Sequence, residues 1–273
     1  MNTSNFLAFR KNWEIPTYDT AFWLERSKDF CVVIPVINEG QRIQHLLHRM
    51  QQIKISSLAD IIIIDGGSTD NSLEIDALRN LDIRGLLIKT GAGKLSAQLR
   101  CAYAFSIDAG YEGIITIDGN DKDDPEAIEQ FVAALKHGVD FVQASRYIPG
   151  GYAENTPLIR HFAIKFLHAP VLRLFSGFKW TDTTQGFRAY SRKMLLDPQI
   201  NPFRKVFVNY ELLAYLSYRC PRLGYKCQEL PTTRRYPADG TVPTKISSFR
   251  GNWVVLSTLL KACLGRFNPR GYN

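Results

Sequence analysis

Phe30-Cys31-Val32-Val33-Ile34-Pro35 opens the regular part of the chain. It carries no charge, is rich in β-branched residues and is closed by a proline, so it reads as a strand buried on both faces that ends in a loop. Downstream, Gly40 to Ile53 places Ile43, Leu46, Leu47 and Met50 at helical spacing. A second apolar run, Ile61 to Ile64, opens into Asp65-Gly66-Gly67-Ser68-Thr69-Asp70 and a helix around Leu73 to Leu81. The unit then repeats. A strand from Gly85 to Lys89 leads through Gly91-Ala92-Gly93-Lys94 to a helix from Leu95 to Ala109, and a strand from Gly113 to Ile117 runs into an acidic loop, Asp118 to Pro125. A helix over Glu126 to Lys136 and a strand over Asp140 to Ser145 follow. Strands alternating with helices predict an α/β fold: a mostly parallel central sheet with helices on both faces, whose ligands bind beyond the carboxyl ends of the strands.

Outside this core the pattern is looser. Residues 1–29 form a polar extension dotted with aromatics, and beyond Ser145 come Gly150-Gly151 and a helix around Leu158 to Phe175. Phe162, Phe166 and Phe175 fit either a packed core or, with Lys165 and Arg173, a helix lying on a membrane surface. Residues 251–273 contain an apolar, helical segment, Trp253 to Leu264, of about 12 residues, too short to cross a bilayer but able to lie flat on one.

The 273 residues carry 34 Lys+Arg against 26 Asp+Glu, a formal charge of +8 that attracts nucleotides, phosphate-bearing substrates or an anionic leaflet. The basic residues are dispersed rather than arrayed with aromatics in a stripe, which argues against nucleic acid. Five cysteines, an odd number with no CxxC spacing, indicate neither a zinc ribbon nor a disulfide framework and suit a reducing cytoplasm. No basic-then-apolar leader opens the chain and no window approaches the ~18–20 apolar residues of a spanning helix, so neither secretion nor membrane integration is expected. His45, His48, His161 and His168 lack ligand partners at metal spacing. Gly91 to Lys94 lacks the full spacing of a phosphate loop, which argues against a P-loop triphosphatase.

Two loops carry candidate chemistry. Asp118-Gly119-Asn120 puts two oxygen-bearing side chains on one side of an extended loop, suited to a hard divalent cation that also touches a diphosphate, although a solvated turn into a helix would read the same. Asp65, at another strand end, could accept from a base N–H or a ribose hydroxyl; an Asx-turn or helix cap is the plain alternative.

Taken in order, Val33 to Glu39, Ile64 to Asp70, Thr116 to Glu126, Ser145-Arg146-Tyr147-Ile148-Pro149-Gly150-Gly151 and Asp182-Thr183-Thr184-Gln185-Gly186-Phe187-Arg188 resemble the successive signatures of the inverting family-two glycosyltransferases of GT-A fold. The closest likeness is to dolichyl-phosphate (polyprenyl-phosphate) mannosyltransferase-like enzymes, over roughly residues 30 to 250. The resemblance implies a nucleotide-binding half over 30–145 and an acceptor-binding half over 146–250. It implies that Pro35, Asn38, Glu39 and Asp65 line the base and ribose, and that Lys94 borders the nucleotide. Asp118, Gly119 and Asn120 match the D-x-D motif, with Asp118 and Asn120 as ligands of Mg2+ or Mn2+. Arg146, Arg188, Arg160 and Lys245 become candidates for the phosphates. Arg235, Gly240 and Lys245 match an R…G…S-K pattern near the acceptor phosphate, with Thr244 in the serine place.

Three departures matter: Gly66 and Asn120 each stand where an acid is usual, and Lys122 stands where a neutral metal ligand is usual. A phosphate acceptor is an anion that attacks without a general base, whereas a hydroxyl acceptor needs one. The Glu-Asp pair of many hydroxyl-glycosylating relatives is absent; Asp182 remains as a base, or as the residue that orients Arg188 or caps a turn. The expected protein is therefore a cytoplasmic transferase, peripheral at the inner face of a membrane. It would move a hexose from a GDP- or UDP-sugar to a polyprenyl-phosphate or lipid-linked acceptor in cell-envelope polysaccharide biosynthesis. Transfer to a hydroxyl of a surface polysaccharide or glycolipid, and a non-catalytic nucleotide-sugar-binding relative, are the alternatives.

Overall fold

A computed structural model describes residues 3–237 and 249–271. Helix α1 (Thr3–Lys11) precedes β1 (Tyr18–Trp23), and β2 (Phe30–Val36) opens the alternating core. There follow α2 (Gln41–Gln52), β3 (Asp60–Asp65), α3 (Ile75–Asn80), β4 (Ile83–Lys89), α4 (Leu95–Asp108), β5 (Gly113–Thr116), α5 (Ile128–Lys136) and β6 (Phe141–Ser145). The second half holds β7 (Tyr152–Glu154), α6 (Leu158–Ala163), α7 (Ala169–Ser176), β8 (Arg188–Ser191), α8 (Arg192–Leu195), α9 (Glu211–Arg222), β9 (Cys227–Pro231), β10 (Thr233–Arg235) and α10 (Phe249–Cys263).

Eight strands form one sheet in the order β1-β4-β3-β2-β5-β8-β6-β9. The expected runs build its parallel centre, with Val33 paired to Ile62 on one side and Thr116 on the other. Alternate residues leave in opposite directions: Cys31, Val33, Ile62 and Ile64 enter a core covered by α4, α9 and α10, while Val32, Ile34, Ile61 and Ile63 enter a second core under α2 and α5. Burial on both faces is why these strands read as unbroken apolar runs.

Two strands make the sheet mixed. The N-terminal extension supplies β1, antiparallel to β4, and β8 inserts antiparallel between β5 and β6. Insertion of β8 carries the Asp182–Phe187 loop to the carboxyl ends of β5 and β6, where the Asp118 loop also lies. The helix expected from Leu158 to Phe175 is interrupted by a π turn over Ile164–His168 before α7. Pro170 gives the reason: it has no N–H for the carbonyl four residues back and its ring crowds that turn, so the ladder widens there. A small parallel pair, β7 with β10, stands apart and carries Thr233–Arg235 to the rim of the site.

The five cysteines are unpaired. No helix among the described residues is long and apolar enough to cross a membrane.

Candidate active site

The loops that follow β2 and β3 are latched to one another. Gln98, one turn into α4, donates from Nε2 to the carbonyls of Val36 (2.9 Å) and Ile64 (2.5 Å), clamping the ends of β2 and β3. Asn38, in the left-handed region at φ 49°, accepts from Thr69 N–H at 2.8 Å, and its own N–H donates to Ser68 Oγ at 2.9 Å. Asp65 accepts from the Ser68 backbone (2.9 Å) and hydroxyl (2.6 Å), the Asx-turn arrangement, with lone pairs left for a ligand. Glu39 pairs with Arg42 at 2.8 Å. Lys94 is exposed at the start of α4, one turn before Gln98. At Gly66 the space is tight: a Cβ would lie 3.3 Å from Gln98 Oε1 and from the Val36 carbonyl oxygen.

Asp118, Gly119 and Asn120 cross the carboxyl end of β2, where a Cβ on Gly119 would stand 3.2 Å from the Pro35 carbonyl oxygen. The two signature loops meet here. A Cβ on Gly186 would fall 2.2 Å from Asp118 Oδ1, so the second loop packs directly on this carboxylate. The other Asp118 oxygen faces Arg234 Nη2 at 3.3 Å, while Arg234 Nη1 grips both oxygens of buried Asp123 at 2.6 Å. Asn120 Oδ1 accepts from Lys122 N–H at 3.3 Å. Lys122 is buried with its Nζ 5.1 Å from the Tyr236 ring. Burial, then the like charge of Arg234, lowers its pKa to about 8.

Tyr236 gathers the cations. Arg160 Nη1 donates to its hydroxyl at 2.7 Å. Burial raises the phenol pKa, but Arg234, Arg160, Arg146 and Lys122 together outweigh it and bring the value down to about 8. The sequence signal for this cluster was the alternation along β10. Arg234 and Tyr236 share the inward face, whereas Arg235, matched by motif to the acceptor phosphate, points out and pairs with Glu154 at 3.0 Å.

Arg146 and Asp182 form a fully buried pair, Nε to Oδ2 at 2.7 Å and Nη2 to Oδ1 at 3.0 Å. Burial would raise the Asp182 pKa, yet Arg146 and local N–H donors hold it below the usual carboxylate range. Among the described residues, Arg146 Nη1, Tyr147 Oη, Thr183 Oγ1 and Gln185 Nε2 are buried without a hydrogen-bond partner. The structure thus gives Asp182 to Arg146 rather than to Arg188. Arg188 itself differs from expectation: its guanidinium donates to the carbonyls of Gln185 (2.9 Å), Leu213 (2.7 Å) and Thr183 (3.3 Å) and to Ser217 Oγ (3.0 Å), all interior groups. It braces the 182–187 loop against α9. Lys245, Thr244 and Gly240 lie outside the described residues.

The donor set for a divalent ion is small. No group of three or more His, Cys, Asp or Glu side chains converges among the described residues. Asp118, partly shared with Arg234, and Asn120 Oδ1 supply two oxygens. That fits an ion which keeps several waters and arrives with a diphosphate, as Mg2+ does, better than one caged by protein.

Residues 31–197 match the family model for glycosyl transferase family 2. The chain belongs to glycosyl transferase family 2. Its curated relatives include the polyprenol monophosphomannose synthase of Mycolicibacterium smegmatis, 25% identical over 205 residues, 74% of this chain and 76% of that protein. The undecaprenyl-phosphate mannosyltransferase of Micrococcus luteus is 25% identical over 203 residues, 74% and 81% of the two chains. The dolichyl-phosphate hexose transferase of Haloferax volcanii is 27% identical over 241 residues, covering 86% and 94%. Among solved structures, the glucosyl-3-phosphoglycerate synthase of Mycobacterium tuberculosis in complex with Mn2+ and UDP-glucose aligns with TM-score 0.61 at 16% identity, over 96% of this chain and 83% of that one. The mannosyl-3-phosphoglycerate synthase of Rubrobacter xylanophilus aligns with TM-score 0.61 at 14% identity, over 89% and 75%. These likenesses make the fold GT-A, and the family-2 chain is a glycosyltransferase.

Proposed function

We propose that this glycosyltransferase moves a hexose, with inversion, from a nucleoside-diphosphate sugar to a polyprenyl phosphate at a membrane surface. The observation that carries the reading is the position of Arg160. Its guanidinium joins the Tyr236 cation cluster, while its helix α6 exposes Leu158, Ile159 and Phe162, the π turn after it Phe166, and α7 Leu174. A phosphate held in the cluster would have its lipid tail leave along that apolar face. Lys165 and Arg173 border a cavity of about 250 Å³ there with Tyr147 and Phe166, and basic side chains on an apolar helix suit an anionic leaflet. Trp253, on α10 beside α7, is also exposed.

In the proposed reaction an acceptor phosphate oxygen attacks the anomeric carbon as the bond from that carbon to the diphosphate oxygen breaks, and the nucleoside diphosphate departs with the electron pair. The nucleophile is already an anion, so no base is required. That agrees with Asp182, whose sealed pairing with Arg146 suits positioning better than proton transfer. Arg146, through its unpartnered Nη1, and Arg160 hold phosphate oxygens; Pro35, Asn38, Glu39, Asp65 and Lys94 surround the nucleoside. A divalent ion bound by Asp118, Asn120 and the diphosphate would supply Lewis-acid stabilisation of the leaving group.

A thermal-shift screen against UDP, GDP, CDP and their sugar conjugates, with and without Mg2+ or Mn2+, tests the donor half of the proposal. An upshift with one nucleotide and its conjugates is expected. No shift with any of them overturns an intact donor site and leaves a relative that has lost the chemistry.

A further inference from the structure

Four cations, Lys122, Arg146, Arg160 and Arg234, face three carboxylates, Asp118, Asp123 and Asp182, around the Tyr236 phenol. Arg146 is matched by Asp182, and Arg234 is shared between Asp123 and Asp118. With Lys122 also within electrostatic range of Asp118 and Asp123, the two cations and two carboxylates of this corner balance in formal charge before any ligand enters. A divalent ion needs a negative ligand field, so two fixed cations beside a two-oxygen donor set weaken it. A diphosphate has the opposite need.

We infer that Lys122, backed by Arg234, is a built-in cationic pole for the donor diphosphate, so that nucleotide binding persists without a divalent ion. The inference rests on the proposed reading of the site as a nucleotide-sugar site. The loop is shaped to hold the ammonium in place. Asp121 takes the left-handed turn at φ 54°, where its carboxylate is secured by Arg49 at 3.1 Å. The Lys122 N–H donates to Asn120 Oδ1, and its carbonyl accepts from Arg235 N–H at 2.8 Å. The side chain is buried with its Nζ 5.1 Å from the centre of the Tyr236 ring, and the ammonium lies in the electrostatic reach of Asp118, the residue that would stand nearest the diphosphate. An ammonium fixed there is a preorganised counter-charge on a leaving group.

The test is calorimetric titration of UDP, GDP, CDP and ADP into the full-length protein, in EDTA and in Mn2+, with Mn2+ binding alone followed by electron paramagnetic resonance. The wild type should bind one nucleotide in EDTA within about 5-fold of its affinity in Mn2+. Lys122→Gln removes a charge-assisted contact and should weaken binding in EDTA by roughly 10- to 100-fold. It should also tighten Mn2+ binding and make nucleotide binding depend on the ion. Lys122→Met should lose the EDTA binding without that gain, its fold checked by circular dichroism. Binding by the wild type only in Mn2+, or unchanged EDTA binding in the folded Lys122→Gln protein, overturns the inference while leaving the donor site intact. No binding of any nucleotide under either condition overturns the donor site itself and the inference with it.

Discussion

Replacing Asp182 by alanine tests the buried pair that it makes with Arg146. In the native protein both its oxygens are taken by Arg146, at 2.7 and 3.0 Å, and neither partner's side chain is more than 1% exposed. Removing one member of such a pair leaves a buried, uncompensated charge and costs about 3–5 kcal/mol. At about 2–4 °C per kcal/mol for a chain of this size, the melting temperature should fall by roughly 10 °C. Arg146→Met/Asp182→Leu should recover most of that loss, because an apolar pair needs no compensating charge. The sign with pH follows from the depressed Asp182 pKa: its contribution is fully present above the ordinary carboxylate range and disappears only as pH falls through the lower folded value. Thermal and urea unfolding of the three proteins between neutral and acid pH is the assay. An Asp182→Ala protein within about 1 kcal/mol of wild type, or a double variant no more stable than the single, would refute the pairing argument.

Gly186→Ala drives a methyl onto Asp118 Oδ1, so turnover should fall by two orders of magnitude or more for a stability loss of only about 1–2 kcal/mol; equal loss of both points to a purely structural glycine. Arg188→Met leaves the carbonyls of Gln185 and Leu213 without their donor and should lower stability by about 2–4 kcal/mol, measured by urea unfolding; wild-type stability would contradict its bracing role. Tyr236, with a pKa near 8, should add one tyrosinate to the 295 nm absorbance before the other tyrosines titrate, and Tyr236→Phe should remove that step. A phenol depressed in the folded state contributes stability above its unfolded pKa that is lost as pH falls through about 8, so the stability gap between wild type and Tyr236→Phe should widen from pH 8 to 10. Ile159→Glu/Leu174→Glu changes two exposed side chains and should lower partition onto anionic vesicles at least 10-fold with no loss of stability; unchanged partition would remove this face from the membrane.

The parallel core was legible because strands buried on both faces must be continuously apolar, and Cys31–Ile34 and Ile61–Ile64 are. Strand β8 was not: Arg188-Ala189-Tyr190-Ser191 carries its own charge and becomes a strand only when wedged between β5 and β6. Strand β1 was hidden for a similar reason, since its alternation is weak and its pairing partner β4 comes some 65 residues later. At the site, the Asp118 and Asp182 loops announced themselves by motif, and the structure packs Gly186 against Asp118. What motif alone could not give was the partner of each charge. Arg188 turns inward, and Arg234 rather than Arg235 faces the site, because one residue of register along β10 exchanges its faces.

Transfer of a hexose to a lipid phosphate can be read in a product assay on vesicles. Purified protein, the nucleotide sugar chosen by the thermal screen and equal amounts of a polyprenyl phosphate and the corresponding polyprenol are incubated together, and the lipids are read by mass spectrometry and anomeric NMR. A single hexosyl phosphate lipid of inverted configuration is expected, absent with Asp118→Ala. Glycosylation of the free alcohol instead, or a retained anomer, would contradict it.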